Sequence, residues 1–287
     1  MITLLLSLMV TYAIAQVLIS SNRTSVTSDG MSQSQETGRF VMSYLANYIR
    51  EGGLDSVDDT SRSTGAFISC SDFPDLSDNL ACITESGGGE NQDSIQGDGI
   101  HGDRLAIART APADNLVDCT GSTGYIPYEP AGTTQLKSYV KDDFILNTFW
   151  VEFDDNTNLS SLMCQGFLLN GTDVTGSSTQ QAIANGVEAM QLLYGEANGP
   201  LPVTQNSNVS RYVPAASIPT APTANDVQNW DQVYAVKVSI MTRSLTETTN
   251  SDSLRRYVLG NAAPYNMTDE VSRQVFTTTF VINNLPK

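Results

Sequence analysis

The sequence has 287 residues, 40% of them hydrophobic and only 16% charged. The apolar share can fill a core, which argues against whole-chain disorder. Lysine and arginine number 15 against 31 acidic residues, a net charge of −16. That balance argues against a phosphate-binding face for nucleic acid and against a basic patch for anionic lipid. A single histidine, and four cysteines with no CxxC pair, argue against histidine-rich metal sites, zinc ribbons and thioredoxin-type chemistry.

The first charged side chain is Arg23, and the run Met1–Ser20 before it holds no proline or glycine. About 20 such residues, rising 1.5 Å each, match a hydrocarbon core of roughly 30 Å. The run therefore reads as one membrane span. A cleaved signal peptide is the competing reading, because Ala13-Ile14-Ala15 has the form of a cleavage site. No positive charge precedes the apolar run, however, and Val17, Leu18 and Ile19 continue it. Either way the body is exported, where disulfides are the default for four cysteines.

Residues 21–37 are polar. Phe40, Val41, Tyr44, Leu45, Tyr48 and Ile49 then fall on one face of an amphipathic helix. Gly52-Gly53 is a natural stop. One helix over 1–51 is expected, roughly 75 Å long, with residues 1–20 transmembrane and an exported head over 52–287. Serine and threonine in its middle predict local melting near 24–32. Residues 55–103 read as an acidic loop. Short β-prone runs follow at Leu105–Ala108, Phe144–Phe153, Leu162–Leu169 and Val187–Tyr194, with a hairpin signal at Asn170-Gly171. Residues 198–223, with five prolines, read as a long surface loop. Val233–Met241 alternates, with Tyr234, Val236, Val238 and Ile240 on its apolar face, and Phe276, Thr278, Phe280 and Ile282 alternate again. This order predicts an α+β fold with a largely antiparallel sheet.

Chemistry-bearing motifs are sparse. Gly97–Gly102 fits GxGxxG, but a strand reading follows it where the dinucleotide fingerprint needs a helix. His101 lies near Asp98 and Asp103 with no nucleophile motif beside it, so no catalytic residue is assigned. Asp93, Asp98 and Asp103, or Asp154-Asp155-Asn156, are the candidate calcium ligands, without EF-hand spacing. Calcium is the one cofactor considered; otherwise none is expected. The sequons at Asn22, Asn158, Asn170, Asn208 and Asn266 read as chance in a chain rich in asparagine, serine and threonine. The cysteines allow three connectivities. Sequential pairing, Cys70–Cys82 and Cys119–Cys164, is the most local and is expected.

The plan of a helix, transmembrane first and amphipathic later, ahead of an exported disulfide-bonded sheet resembles a type IV pilin. Four strings resemble the minor pilin family PilW more narrowly. They are Glu36–Phe40 with Leu45 and Tyr48–Gly53; Gly186–Gly195; Trp230–Val238 with Met241–Ser244; and Arg273–Asn284. Pilins begin with a basic leader, a cleavage site and a run like FTLIE. Met1-Ile2 resembles the pair that follows such a run, so the chain is expected to start a few residues late. The glutamate such helices carry near their start has no counterpart here.

The resemblance implies a structural role without enzymatic activity. The expected role is a minor pilin that primes type IV pilus assembly and sits at or near the pilus tip. Expected partners are other minor pilins, the major pilin and a large tip adhesin, with no nucleic acid. The expected location is the inner membrane, then the extracellular pilus. Leu4, Ser7, Leu8, Thr11 and Ala15 would pack helices together in the membrane or filament. Phe40, Tyr44, Leu45 and Tyr48 would hold the helix to its head. The alternatives are a minor pseudopilin of a type II secretion system and a membrane-anchored exported binding module or adhesin.

Overall fold

A computed structural model describes residues 2–53, 102–110, 117–123, 126–127, 144–170, 173–197, 208–218, 233–248 and 253–284. Helix α1 spans Ile2–Glu51 without a break. Local melting near 24–32 is therefore not what this structure shows. The hydroxyls there turn back onto the helix, Thr24 Oγ1 donating to the Ser20 carbonyl at 3.0 Å and Thr27 Oγ1 to Arg23 at 2.9 Å. These bonds let threonine sit in a helix interior without an unpaired group. Gly52 N–H donates to the Tyr48 carbonyl at 3.0 Å, and Gly53 takes φ +70°. That left-handed residue ends the helix as a glycine readily does.

The described strands form three antiparallel groups. The largest contains β1 (Leu105–Thr110), β2 (Ile126–Pro127), β3 (Phe144–Asp154), β4 (Leu159–Asn170), β5 (Asp173–Ser177) and β6 (Gln181–Asn185). Its order is β1-β3-β4-β5-β2, with β6 also pairing β4. The second contains β7 (Val187–Ala197), β8 (Val209–Val213), β9 (Val233–Arg243) and β12 (Arg273–Val281), in the order β12-β9-β7-β8. A hairpin of β10 (Arg255–Tyr257) and β11 (Tyr265–Met267) completes the set. The expected α+β fold, with one long apolar helix and antiparallel sheets, is the observed one. Within residues 198–223, the described segment 208–218 departs from the loop reading. Val209–Val213 pairs with β7 and satisfies that strand's outer edge, and a 3-10 turn over Ala215–Ser217 follows.

One hydrophobic cluster joins α1 to both larger sheets. Val41, Leu45 and Ile49 of the helix are fully buried with Leu105, Phe149, Leu162, Met190, Leu192, Val236, Val238 and Ile240. Strand β9 is covered on its other face too, where Met241 joins Ala189, Leu259 and Tyr265 in a second cluster beneath the β10–β11 hairpin. Cys119 and Cys164 form a disulfide with Cα atoms 6.2 Å apart. It ties the segment before β2 to β4. Cys70 and Cys82 lie outside the described residues.

Close approach of α1 to the second sheet depends on small residues one turn apart. Gly30, Ser34 and Gly38 are all buried. A Cβ on Gly30 would stand 2.2 Å from Thr248 Cγ2, and one on Gly38 would stand 2.2 Å from the Phe276 ring. Between them Ser34 Oγ and Thr242 Oγ1 hydrogen-bond at 2.8 Å, and Thr242 Oγ1 donates on to the Ser34 carbonyl at 3.0 Å. Gly38→Leu is therefore expected to cost about 1–3 kcal/mol by overpacking. Thermal unfolding of the full chain in detergent should show it, and adding Phe276→Ala should recover part of the loss.

Candidate functional site

The helix divides into two surfaces. Over Ile2–Ile19 every large apolar side chain is exposed, from Ile2 at 77% to Ile19 at 49%. An 18-residue window there has mean hydropathy 2.2 and no buried residue, so α1 is long and apolar enough to cross a membrane. Leu4, Ser7, Leu8, Thr11 and Ala15 all lie in this exposed half. Ser7 Oγ donates to the Leu4 carbonyl at 2.9 Å, and Thr11 Oγ1 to the Ser7 carbonyl at 2.8 Å. Each hydroxyl thus has a partner within its own helix. What they present outward is mainly small size, which allows close helix approach in a membrane.

The second surface is the seat on the head. Leu45 is fully buried. Tyr44 and Tyr48 are half-buried and meet Phe149 of β3, with ring centroids 6.3 and 5.4 Å away. The Tyr44 hydroxyl donates to the Cys119 carbonyl. Burial, and then the hydrogen bond with Tyr48, push the Tyr44 hydroxyl above its ordinary pKa, so it stays a donor. Phe40 is 49% exposed and touches Tyr44 from outside, 5.8 Å between centroids. The buried face thus keeps Val41, Leu45 and Ile49 of the predicted stripe and is turned from Phe40, Tyr44 and Tyr48 toward Met42 and Ala46.

At the helix end, the Asn284 amide donates to the Arg50 and Gly52 carbonyls at 3.0 and 3.3 Å. Those are carbonyls that a helix C-terminus leaves without an internal partner. Gly53 N–H donates to the Ala108 carbonyl at 2.9 Å, and Arg109 lies 3.5 Å from Glu51. Mid-helix, Thr27 Oγ1 also donates to the Thr248 carbonyl at 2.6 Å. The segment Ser244–Thr248 that receives α1 is itself held by backbone bonds to Ser272 and Glu270.

Behind this seat lies an ionic network that residue patterns alone did not reveal. Glu188 is buried and accepts from Arg273 through both Nε and Nη2. Arg243 Nη1 lies 3.5 Å from the same carboxylate. Arg273 also binds Asp269 through two nitrogens. Two features aim Glu188 at these arginines. The β7–β9 register slips between Val187 and Ala189, which makes Glu188 the bulged residue. Gly186, two residues before it, has φ +82°, where any Cβ would stand 3.0 Å from the Arg243 carbonyl oxygen. Arg273 and Arg243 sit directly opposite each other on β12 and β9. Two like charges there need a shared anion, and Glu188 supplies it.

Among the described residues no group of three or more histidine, cysteine, aspartate or glutamate side chains could hold a metal. Asp103 is buried, and its carboxylate accepts from the Leu192 amide at 2.7 Å. Asp93, Asp98 and His101 lie outside the described residues. Gly102 makes a parallel bridge to Met190 and leads into strand β1, the context already judged wrong for a nucleotide fingerprint. Asp154 accepts from Asn156 N–H at 2.8 Å and Thr157 Oγ1 at 3.0 Å as an exposed turn.

Residues 148–284 match the family PilW, Type IV Pilus-assembly protein W. Three of the four strings, Gly186–Gly195, Trp230–Val238 with Met241–Ser244, and Arg273–Asn284, lie within the matched residues, which bears out the PilW resemblance there. The PilW-like strings include Gly186, Glu188, Arg243, Arg273 and Asn284, and so hold the network apart from Asp269, together with the helix cap. No curated protein and no solved structure matches the chain.

Glu188→Ala would take from Arg273 the buried one of its two anions, with the more exposed Asp269 remaining, a change expected to cost up to about 3–5 kcal/mol. The double variant Glu188→Met with Arg273→Leu should be markedly more stable than Glu188→Ala in chemical denaturation. Acid acts on the same network through Asp269. Its burial raises the pKa, but the hydrogen bond and charge of Arg273 outweigh that and hold it below 3.8. A carboxylate lowered in this way stabilises the fold above its unfolded pKa and stops doing so as pH falls through the folded one. The unfolding midpoint should therefore fall below pH 3.8, and Asp269→Asn should flatten part of that fall.

Proposed function

We propose that the protein is a minor pilin that helps prime type IV pilus assembly and sits at or near the pilus tip. The observation that supports this most is the division of α1. Its first 20 residues are charge-free, largely apolar and uncovered by its own head, while its second half is fixed at Gly30, Ser34, Gly38 and its C-terminus. A rigid helix of this kind suits exchange from lipid to a bundle of like helices, carrying the head with it. The PilW match supplies the pilus context. The inner membrane holds the chain before assembly, and the other minor pilins, the major pilin and a large tip adhesin are its partners. In this reading the head needs no bound cofactor.

Replacing small side chains in the exposed half separates a packing surface from a plain anchor. Ser7→Leu with Thr11→Leu should keep membrane-fraction abundance and lower surface pilus yield, because added bulk blocks helix contact. Normal piliation from this variant would overturn the filament reading and favour a membrane-anchored binding module. Co-purification of the full chain with the other minor pilins tests the partners directly.

A further inference from the structure

Strand β12 has an outer edge with which no described strand pairs. Edge strands are ordinarily blunted by a charge, a proline or a bulge. Gln274–Val281 contains none of the three; it is uncharged, free of proline and in unbroken register with β9. Its middle is open on both faces. Thr277 and Thr279 are exposed on the face away from the helix, and Thr278 is exposed on the helix side between Phe276 and Phe280. Val275 and Val281, at the two ends, are 38% and 44% exposed.

The sequence of this edge reads the same in both directions: Val275-Phe276-Thr277-Thr278-Thr279-Phe280-Val281. A palindrome centred on one residue is the pattern that an isologous two-fold contact requires, since residue i then meets j while j meets i. We infer that β12 pairs antiparallel with β12 of a second copy of this chain, with Thr278 on the two-fold axis. In that register Val275 meets Val281, Phe276 meets Phe280 and Thr277 meets Thr279. Valine pairs and threonine pairs are favourable cross-strand neighbours, and the two exposed valines cover each other. Gln274 would face Ile282 and Arg273 would face Asn283, so no like charges are opposed. The two β12 strands would join the two four-stranded sheets into one.

The symmetry has a directional consequence. A two-fold axis perpendicular to the sheet reverses every direction in its plane. The two α1 helices, which lie along that sheet, would run in opposite directions. Paired heads would therefore belong to chains anchored in different assemblies and approaching head to head. This setting rests on the tip position proposed above; the pairing itself does not.

Cysteine cross-linking of the full chain in detergent, each anchor in its own micelle, reads the register. Residues directly opposite in an antiparallel pair have Cα atoms about 4.5–5.5 Å apart, within disulfide reach. Thr278→Cys should form a covalent dimer under mild oxidation. Thr277→Cys alone should not, whereas a mixture of Thr277→Cys and Thr279→Cys should. Thr278→Asp places two carboxylates opposite each other on an exposed site. It should weaken the dimer on the order of tenfold in sedimentation without changing the unfolding midpoint. The inference is overturned by a protein that is monomeric at all concentrations and gives no Thr278→Cys dimer. It is equally overturned by equal cross-linking from Thr277→Cys or by a dimer insensitive to Thr278→Asp. Because the dimer is read in purified protein and piliation in cells, failure of one is distinct from failure of the other.

Discussion

The head can hold its helix only because the helix comes very close to the sheet. At Gly30 and Gly38 there is no room for a side chain where Thr248 and Phe276 press in, and between them the short Ser34 side chain bonds Thr242. That contact sets the height of α1 over β9 and β12 and so lets Val41, Leu45 and Ile49 reach the shared core. It also fixes which face of the helix is spent on the head. Everything before Gly30, apart from the Thr27 contact, is left for an environment outside the chain.

Polar chemistry in the head serves that seating. Glu188, Arg243, Arg273 and Asp269 form a network at the end of the sheet from which the Ser244–Thr248 segment leaves to meet the helix. A buried ion pair adds little net stability when an apolar set could replace it. Its contribution here is geometric, since one carboxylate holds two arginines on neighbouring strands and so fixes where that segment starts. The Asn284 cap and the Tyr44 hydrogen bond to Cys119 secure the far end in the same way.

Much of this was legible in the sequence, and the reasons are physical. A charge-free run of membrane length and a 3.6-residue apolar period are strong signals, and both fall within α1. Alternation marked β9 and β12, whose inner faces are apolar. Strand β8 was missed because its proline-rich surroundings read as loop and its exposed residues, Ser210, Arg211 and Tyr212, carry no apolar period. The role of Gly30, Ser34 and Gly38 was hidden because small residues in a polar stretch look like weak helix formers until a partner surface is known. The ionic network joins residues 55 and 85 positions apart, a distance over which spacing alone carries no information. Only the family-like strings marked Glu188, Arg243 and Arg273, without giving the contacts, and Asp269 lay outside them.

The cap at the end of α1 has a consequence for the order of folding. Asn284 is separated by 234 residues from the carbonyl of Arg50 that it satisfies, and β9 and β12, on which the helix lies, are the last long strands of the chain. Contacts this distant in sequence form late, after the intervening chain has been closed into a loop. The helix therefore leads the chain while its seat does not yet exist. Its buried stripe stays open to other proteins until the final strand is delivered. Arrival of β12 and Asn284, more than any local event in the helix, sets the moment at which helix and head become one rigid body.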